Sequence, residues 1–341
     1  MKSTPTLATL LASPLHIGRV TLRNRVILAP MSGVSDLAMR KLAFEHGAGA
    51  VVAEMVPGGE LVQGRAESER RILPAGGRPH IVQLAGRNAE LMAEGARIAA
   101  GEGADIIDIN MGCPARKVTG GDCGSALMRE PEIALAIIEH VVAAVEVPVT
   151  VKMRLGWDDE QRNAPVLARL AEEAGAALIT VHGRTRCQFY KGSADWQAIA
   201  EVRDAISIPL VVNGDIGSLD DSLNALAASK ADAIMVGRAH YGAPWAAGAL
   251  AAEAGATHPR RLPPADLASY VAEHYEAMLS LYGSARGMRH ARKHLGWYSE
   301  RHLGHRGAAA RARLMAAADP GEVLRLIGEV FSGGVQTDLA A

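Results

Sequence analysis

Cys113 is the residue where chemistry is easiest to place. It follows the apolar run Ile106–Asn110 and stands between Gly112 and Pro114, a setting that reads as an exposed loop. A thiol with an ordinary pKa of about 8.5 is mostly protonated at neutral pH, yet it can yield that proton to a developing carbanion-like centre. The bland alternative is a small buried hydrophobe, the commonest fate of a free cysteine. Lys152 is the second candidate. It is flanked by Val149, Val151 and Met153, so a surface salt bridge explains it poorly, whereas an ammonium fixed in a core strand can stabilise negative charge on a bound group. Two glycine-marked turns, Asn213-Gly214-Asp215 and Gly237-Arg238, suit a phosphate, because glycine lets backbone N–H groups approach and Arg238 adds a charge-assisted contact. Either turn alone could be a tight connection that needs glycine's φ freedom. Together they point to an anion site.

Such groups converge only if the elements carrying them share a rim. Short apolar runs rich in β-branched residues recur along the chain: Val26–Ala29, Ala50–Glu54, His80–Leu84, Ile106–Asn110, Val149–Arg154, Leu178–His182, Leu210–Asn213 and Ala233–Gly237. Their unbroken apolar character is that of strands covered on both faces. Helical patterns separate them, with Asn88 and Ser218 as N-caps and Pro131 in a first turn. About eight strand–helix units predict a closed parallel TIM (β/α)8 barrel, whose strand C-termini form one mouth. A doubly wound sheet should show GxGxxG after an early strand, and none follows Val26–Ala29. After the helix that begins near Trp245 the strands stop. Helices are expected over Leu267–Tyr282 and Arg286–Tyr298, then a weaker pair to about Ile327, with a frayed end from Ser332. The division is a catalytic barrel over 14–254 and a small all-helical domain over 262–331.

Composition sets limits. The chain has 341 residues, 49% hydrophobic and 21% charged, with aromatics at only 4%, so the core must be aliphatic. A formal net charge of −1 gives no overall attraction for nucleic acid, and any such partner must meet a local basic face. That face is expected between Arg286 and Arg306, where Arg286, Arg289, His290 and Lys293 share a helix side by i, i+3 and i+4 spacing and Trp297 and Tyr298 follow. The three cysteines, Cys113, Cys123 and Cys187, form no CxxC pair. Neither disulfides nor a metal are expected, and a reducing cytosol fits. No run approaches a membrane span or a signal h-region, so a cytoplasmic protein is expected.

Several ordered segments resemble the tRNA-dihydrouridine synthases, nearest the bacterial B-type: DINMGCPARKVTGGDCGSALM (Asp108–Met128), VKMRLGW (Val151–Trp157), VHGRTR (Val181–Arg186), NGDI (Asn213–Ile216) and VGR (Val236–Arg238). The likeness runs from about Gly18 to Trp245, and RKHLGWY (Arg292–Tyr298) resembles the family's helical domain. The resemblance implies FMN across the barrel mouth, NADPH as electron donor, and reduction of the C5=C6 bond of a tRNA D-loop uridine. Hydride would pass from the flavin to C6 and a proton from Cys113 to C5. Pro30, Met31 and Ser32 would back the isoalloxazine and Gln83 would bond its pyrimidine edge. Lys152 would meet the N1/O2 edge, and His182 would sit by the ring or ribityl chain. Asn213, Gly214, Asp215, Gly237 and Arg238 would hold the phosphate, while Asn110 and Arg184 would bind the uridine. Arg154 and Arg186 are further phosphate candidates. Cys123, where the family pattern has no cysteine, is left out of the catalytic set, and a monomer is expected. Two other readings compete: a small-molecule FMN barrel oxidoreductase of the dihydroorotate dehydrogenase or ene-reductase type, and a non-catalytic RNA-binding regulator.

Overall fold

A computed structural model describes residues 6–115, 118, 122–257 and 264–332. Eleven strands occur among them: β1 (Leu15–Ile17), β2 (Val20–Leu22), β3 (Val26–Leu28), β4 (Ala50–Val52), β5 (Val56–Pro57), β6 (His80–Ala85), β7 (Ile106–Met111), β8 (Val149–Arg154), β9 (Leu178–His182), β10 (Leu210–Asn213) and β11 (Ala233–Val236). Eight of them, β3, β4 and β6 to β11, pair in parallel around a closed ring, with β4 joined to β6 and β11 joined back to β3. Each of the eight expected runs supplies one of these strands, to within two residues at its ends. β5 extends the C-terminal edge of β6 through Val56↔Leu84 and Pro57↔Ala85.

The strands form because both their faces are covered. One set of side chains packs outward against the surrounding helices, as Val26, Leu28, Val151 and Ile179 do. The alternate set, including Ile27, Ala50, Ile81, Ile106, Leu178, Val211 and Ala233, fills the barrel interior. The hairpin β1–β2, reversed at Gly18 with φ +54°, adds Leu15, Ile17 and Leu22 to that interior cluster and closes the floor. Sequence patterning passed over this hairpin. Higher up the same inward positions turn polar: Gln83, Asp108, Asn110, Thr150, Arg154, Thr180 and Asn213 are all buried. The barrel is therefore aliphatic at its base and polar toward the mouth, and the change of polarity locates the site.

Helix caps follow the expected chemistry. Asn88 accepts from the Leu91 N–H at 2.8 Å, Pro131 opens Pro131–Ala144, and Ser218 with Asp221 makes a capping box on Leu219–Ser229. Beyond the barrel helix Ala246–Glu253 come four helices, Leu267–Tyr282, Ser284–His302, Gly307–Ala316 and Pro320–Phe331. They share a second core of Tyr270, Tyr275, Leu295, Tyr298, Leu314 and Ile327 that also includes Ala38 and Leu42 of the barrel helix Leu37–Glu45. The start of the helical domain, placed at 262, and most of the frayed end fall outside the described residues. No helix is long and apolar enough to cross a membrane, among the described residues.

Candidate active site

Strand register puts Gln83 of β6 beside Asp108 of β7, and Asp108 beside Thr150 of β8. A chain of hydrogen bonds results. Thr150 Oγ1 donates to Asp108 Oδ1 at 2.6 Å, and Gln83 Nε2 donates to Asp108 Oδ2 at 2.6 Å. Asn110 Nδ2 donates to Gln83 Oε1 at 2.7 Å. Asn110 Oδ1 then accepts from the N–H groups of Gly112 and Cys113, at 3.2 and 3.0 Å. An ionised carboxylate can only accept, so Asp108 fixes which way each amide faces, and the order of donors reaches the Cys113 peptide. Asp108 was no sequence candidate. Its signal was a carboxylate opening the same motif as Asn110 and Cys113.

Cys113 lies just past the end of β7 and is half-buried. Its carbonyl accepts from Ser125 N–H at 3.1 Å and from Ser125 Oγ at 2.8 Å. Arg154 Nε donates to the Gly112 carbonyl at 2.8 Å from the neighbouring strand. The thiol thus sits on a peptide gripped from both sides. Gly124, at φ +60°, passes so close that a Cβ there would stand 2.9 Å from the Cys113 oxygen. Cys123 is also half-buried, and burial raises its thiol pKa.

Lys152 pairs in register with Asn110 on one side and Thr180 on the other, and its Nζ donates to Asn213 Oδ1 at 3.2 Å. Burial, and then Arg154, push its pKa down to about 8, opposed by Asp108 and Cys113. Asp108 is pushed up to about 6 by burial. His182 at the end of β9 is held well below its ordinary value by burial and the surrounding cations, so its imidazole is neutral at pH 7.

The phosphate turns have a definite architecture. Asp215, at φ +53°, accepts from Arg184 through both guanidinium ends at 3.0 and 2.5 Å, from Arg238 Nη2 at 2.6 Å and from Ala194 N–H at 2.8 Å. Two guanidiniums on one carboxylate leave a local charge of +1. A Cβ at Gly237 would reach toward Met31 Sδ at 3.7 Å and Ala29 Cβ at 3.9 Å, so glycine keeps that floor low. Met31 N–H donates to Ser35 Oγ at 2.7 Å, and Glu54 accepts from Gly33 N–H. These bonds shape the Pro30–Gly33 turn at the mouth.

Two arginines are used differently from expectation. Arg184 is 1% exposed, and its remaining donors go to the carbonyls of Lys191 at 3.0 Å and Gly192 at 2.5 Å and to His182 Nε2 at 3.4 Å. None is left for a uridine. Arg154, also 1% exposed, spends Nη1 on the carbonyls of Thr185 and Phe189, each at 2.9 Å. Both are clamps on the loop after β9. In the helical region the expected basic face is divided. Lys293 is half-buried beside Gly33, Asp36 and Glu54, His290 stacks on Tyr282 at 4.3 Å, and Trp297 stacks on Tyr241 at 3.9 Å. Lys293 and Trp297 join the helices to the barrel and His290 joins two of the helices to each other, while Arg289 and Arg292 remain exposed.

A closed parallel barrel with a polar, cation-rich mouth and a loop-borne thiol is the arrangement of a barrel enzyme, whose site lies at the C-terminal ends of the strands. The sequence description of the dihydrouridine synthases matches residues 27–332. A protein of Rhizobium leguminosarum bv. phaseoli titled "Probable tRNA-dihydrouridine synthase" is 55% identical over 92% of this chain and 98% of its own. A "tRNA-dihydrouridine synthase B" of Xanthomonas axonopodis pv. citri is 43% identical over 93% and 96%. The chain belongs to the dihydrouridine synthase family. Among solved structures, a 2-naphthoyl-CoA reductase complex aligns with TM-score 0.56 at 13% identity over 70% of this chain and 51% of that one. TcOYE with pHBA aligns with TM-score 0.55 at 17% identity over 74% and 95%. At such identities the likeness is one of fold.

Proposed function

We propose that this chain is a tRNA-dihydrouridine synthase, a flavin-dependent oxidoreductase that reduces the C5=C6 bond of a D-loop uridine in tRNA to 5,6-dihydrouridine, with FMN at the barrel mouth and NADPH as electron donor. The observation that carries the reading is Cys113, held by its own peptide at the rim that also presents Lys152, in a chain of this family. Bound flavin supplies the hydride delivered to uracil C6. The donor set suits it. Lys152 would offer an ammonium to the N1/O2 edge, Gln83 would give its remaining amide hydrogen to the pyrimidine edge, and His182 would meet the ribityl side as a neutral imidazole. Pro30, Met31 and Ser32 would back the ring. Asn213, Gly214, Asp215, Gly237 and Arg238 form the phosphate cradle, with Asp215 there to hold two arginines and not to touch the anion.

Cys113 gives its thiol proton to uracil C5 as charge develops there. Asn110 keeps one amide hydrogen for the uracil while orienting the cysteine loop. Arg184 acts as a positioning residue through Asp215 and the loop after β9. We place the enzyme in the cytoplasm as a monomer whose tRNA contacts spread over barrel and helices. The test is to map dihydrouridine in tRNA from cells with and without the gene, then restore wild type or Cys113→Ala. Wild type should restore the modification and Cys113→Ala should lower its rate about 100-fold or more. Full rescue by Cys113→Ala would remove the thiol from the mechanism.

A further inference from the structure

Phenylalanine and tyrosine are scarce in this chain, at 3 and 6 residues, yet two adjacent ones stand in the open. Phe189 is 40% exposed and Tyr190 is 49% exposed, on the loop after β9. The loop is not slack. The buried guanidiniums of Arg154 and Arg184 bind carbonyls at Thr185, Phe189, Lys191 and Gly192. Gln188 Oε1 accepts from the Thr185 N–H at 2.8 Å, and Phe189 itself is held at φ +56°, where a side chain other than glycine is strained. Two buried charges and a strained residue thus hold two aromatic rings out in water.

The rings meet edge to face at 5.2 Å. Tyr190 lies 5.6 Å from the guanidinium of Arg238, 5.5 Å from that of Arg154 and 6.4 Å from the His182 ring, so it borders the mouth. Farther along the rim, the Trp157 ring has the guanidiniums of Arg129 at 3.9 Å and Arg186 at 4.6 Å. The nearby acids Asp159 and Asp195 are paired with Arg162. Exposed aromatic faces alternating with guanidiniums match a strand of nucleotides, because any base offers a π face and each linkage carries a negative phosphate.

We infer that Phe189 and Tyr190 are a stacking platform for the unstacked nucleobases flanking the target uridine, with Arg129 and Arg186 meeting the adjoining phosphates. Drawing a base out of its stack leaves its neighbours without partners, and a rigid aromatic step at the mouth replaces them. The inference rests on tRNA being the substrate.

Its test uses the flavin-loaded chain and a set of tRNA transcripts that carry 2-aminopurine beside each D-loop uridine in turn. The variants are Phe189→Leu with Tyr190→Leu, which keep apolar bulk without a π face, and Tyr190→Phe, which keeps the face. The leucine pair should weaken tRNA binding about tenfold, leave the salt slope unchanged because no cation is lost, and abolish quenching of the 2-aminopurine. Tyr190→Phe should bind and quench as wild type does, with circular dichroism unchanged throughout. If the leucine pair quenches as wild type does, whatever its affinity, the platform is disproved. If wild type quenches a 2-aminopurine in the D-loop yet leaves every uridine unreduced, the proposed reaction fails while the platform stands.

Discussion

Asp108 takes a charge where water does not follow, and burial sets both its liabilities and its use. In the folded chain its carboxyl is pushed up to about 6 from an ordinary 3.8. The folded state therefore holds this proton more tightly, and the stability the residue costs is absent below the ordinary value and complete above pH 6. Asp108→Asn can still accept from Gln83 Nε2, and it can donate to Thr150 Oγ1, whose hydroxyl turns from donor to acceptor. The substitution should raise stability at pH 7 by up to about 3 kcal/mol, with the gain closing toward pH 4. Urea melts across that range check it, and a gain that persists at pH 4 would mean that packing, not charge, is responsible. The same change should weaken flavin binding, because Asp108 is the carboxylate that helps keep Lys152 protonated while burial and Arg154 pull its pKa to about 8. The charge that makes Asp108 costly is the one that supports Lys152.

At the scale of elements, β8 does more than carry Lys152. Through Arg154 it ties the Gly112 carbonyl of the cysteine loop to the Thr185 and Phe189 carbonyls of the next loop, so one guanidinium sets the spacing of two functional segments. Lysine has no fork and cannot span three carbonyls. Arg154→Lys should cost about 2–3 kcal/mol in stability and lower kcat for tRNA uridine reduction about tenfold or more, with a changed rate of Cys113 alkylation. A kcat within twofold of wild type would show that the cysteine loop holds its own shape. The sequence made the strand itself plain, since covering on both faces imposes long β-branched runs. It made the inward lysine plain too, because an ammonium amid valines needs a reason. It did not tell where the N–H groups of Arg154 and Arg184 go. Folding aimed three of Arg154's at backbone carbonyls and four of Arg184's at carbonyls and Asp215, whereas charge alone suggested a ligand. The β1–β2 hairpin escaped because three-residue strands show too little alternation to register.

For the whole molecule, the question is what holds the helical region against the barrel in a chain with net charge −1. Besides the shared apolar core there is a buried charged cluster at the seam. Asp36 caps the helix Leu37–Glu45 through Met39 N–H at 3.0 Å and accepts from Tyr282 Oη at 3.2 Å. Glu54 accepts from Gly33 N–H. Burial raises the pKa of both carboxyls, while Lys293 lowers both, with Arg40 assisting Asp36 and Arg71 assisting Glu54. Lys293 therefore belongs to the joint, and helical periodicity could not show this because it assigns neighbours on a helix but not what the helix faces. Lys293→Met should leave two buried carboxylates short of a cation and cost about 2 kcal/mol near pH 7, a figure below that of a fully buried pair because Lys293 is only half-buried. As pH falls through the raised pKa values of Asp36 and Glu54, both carboxyls take up protons and no longer need the ammonium, so the deficit should shrink. Thermal melts of the two proteins from pH 8 to pH 5 give the comparison. A deficit that stays constant with pH would assign the loss to packing of the lysine stem, and none at pH 8 would show that the apolar core alone fastens the helices to the barrel.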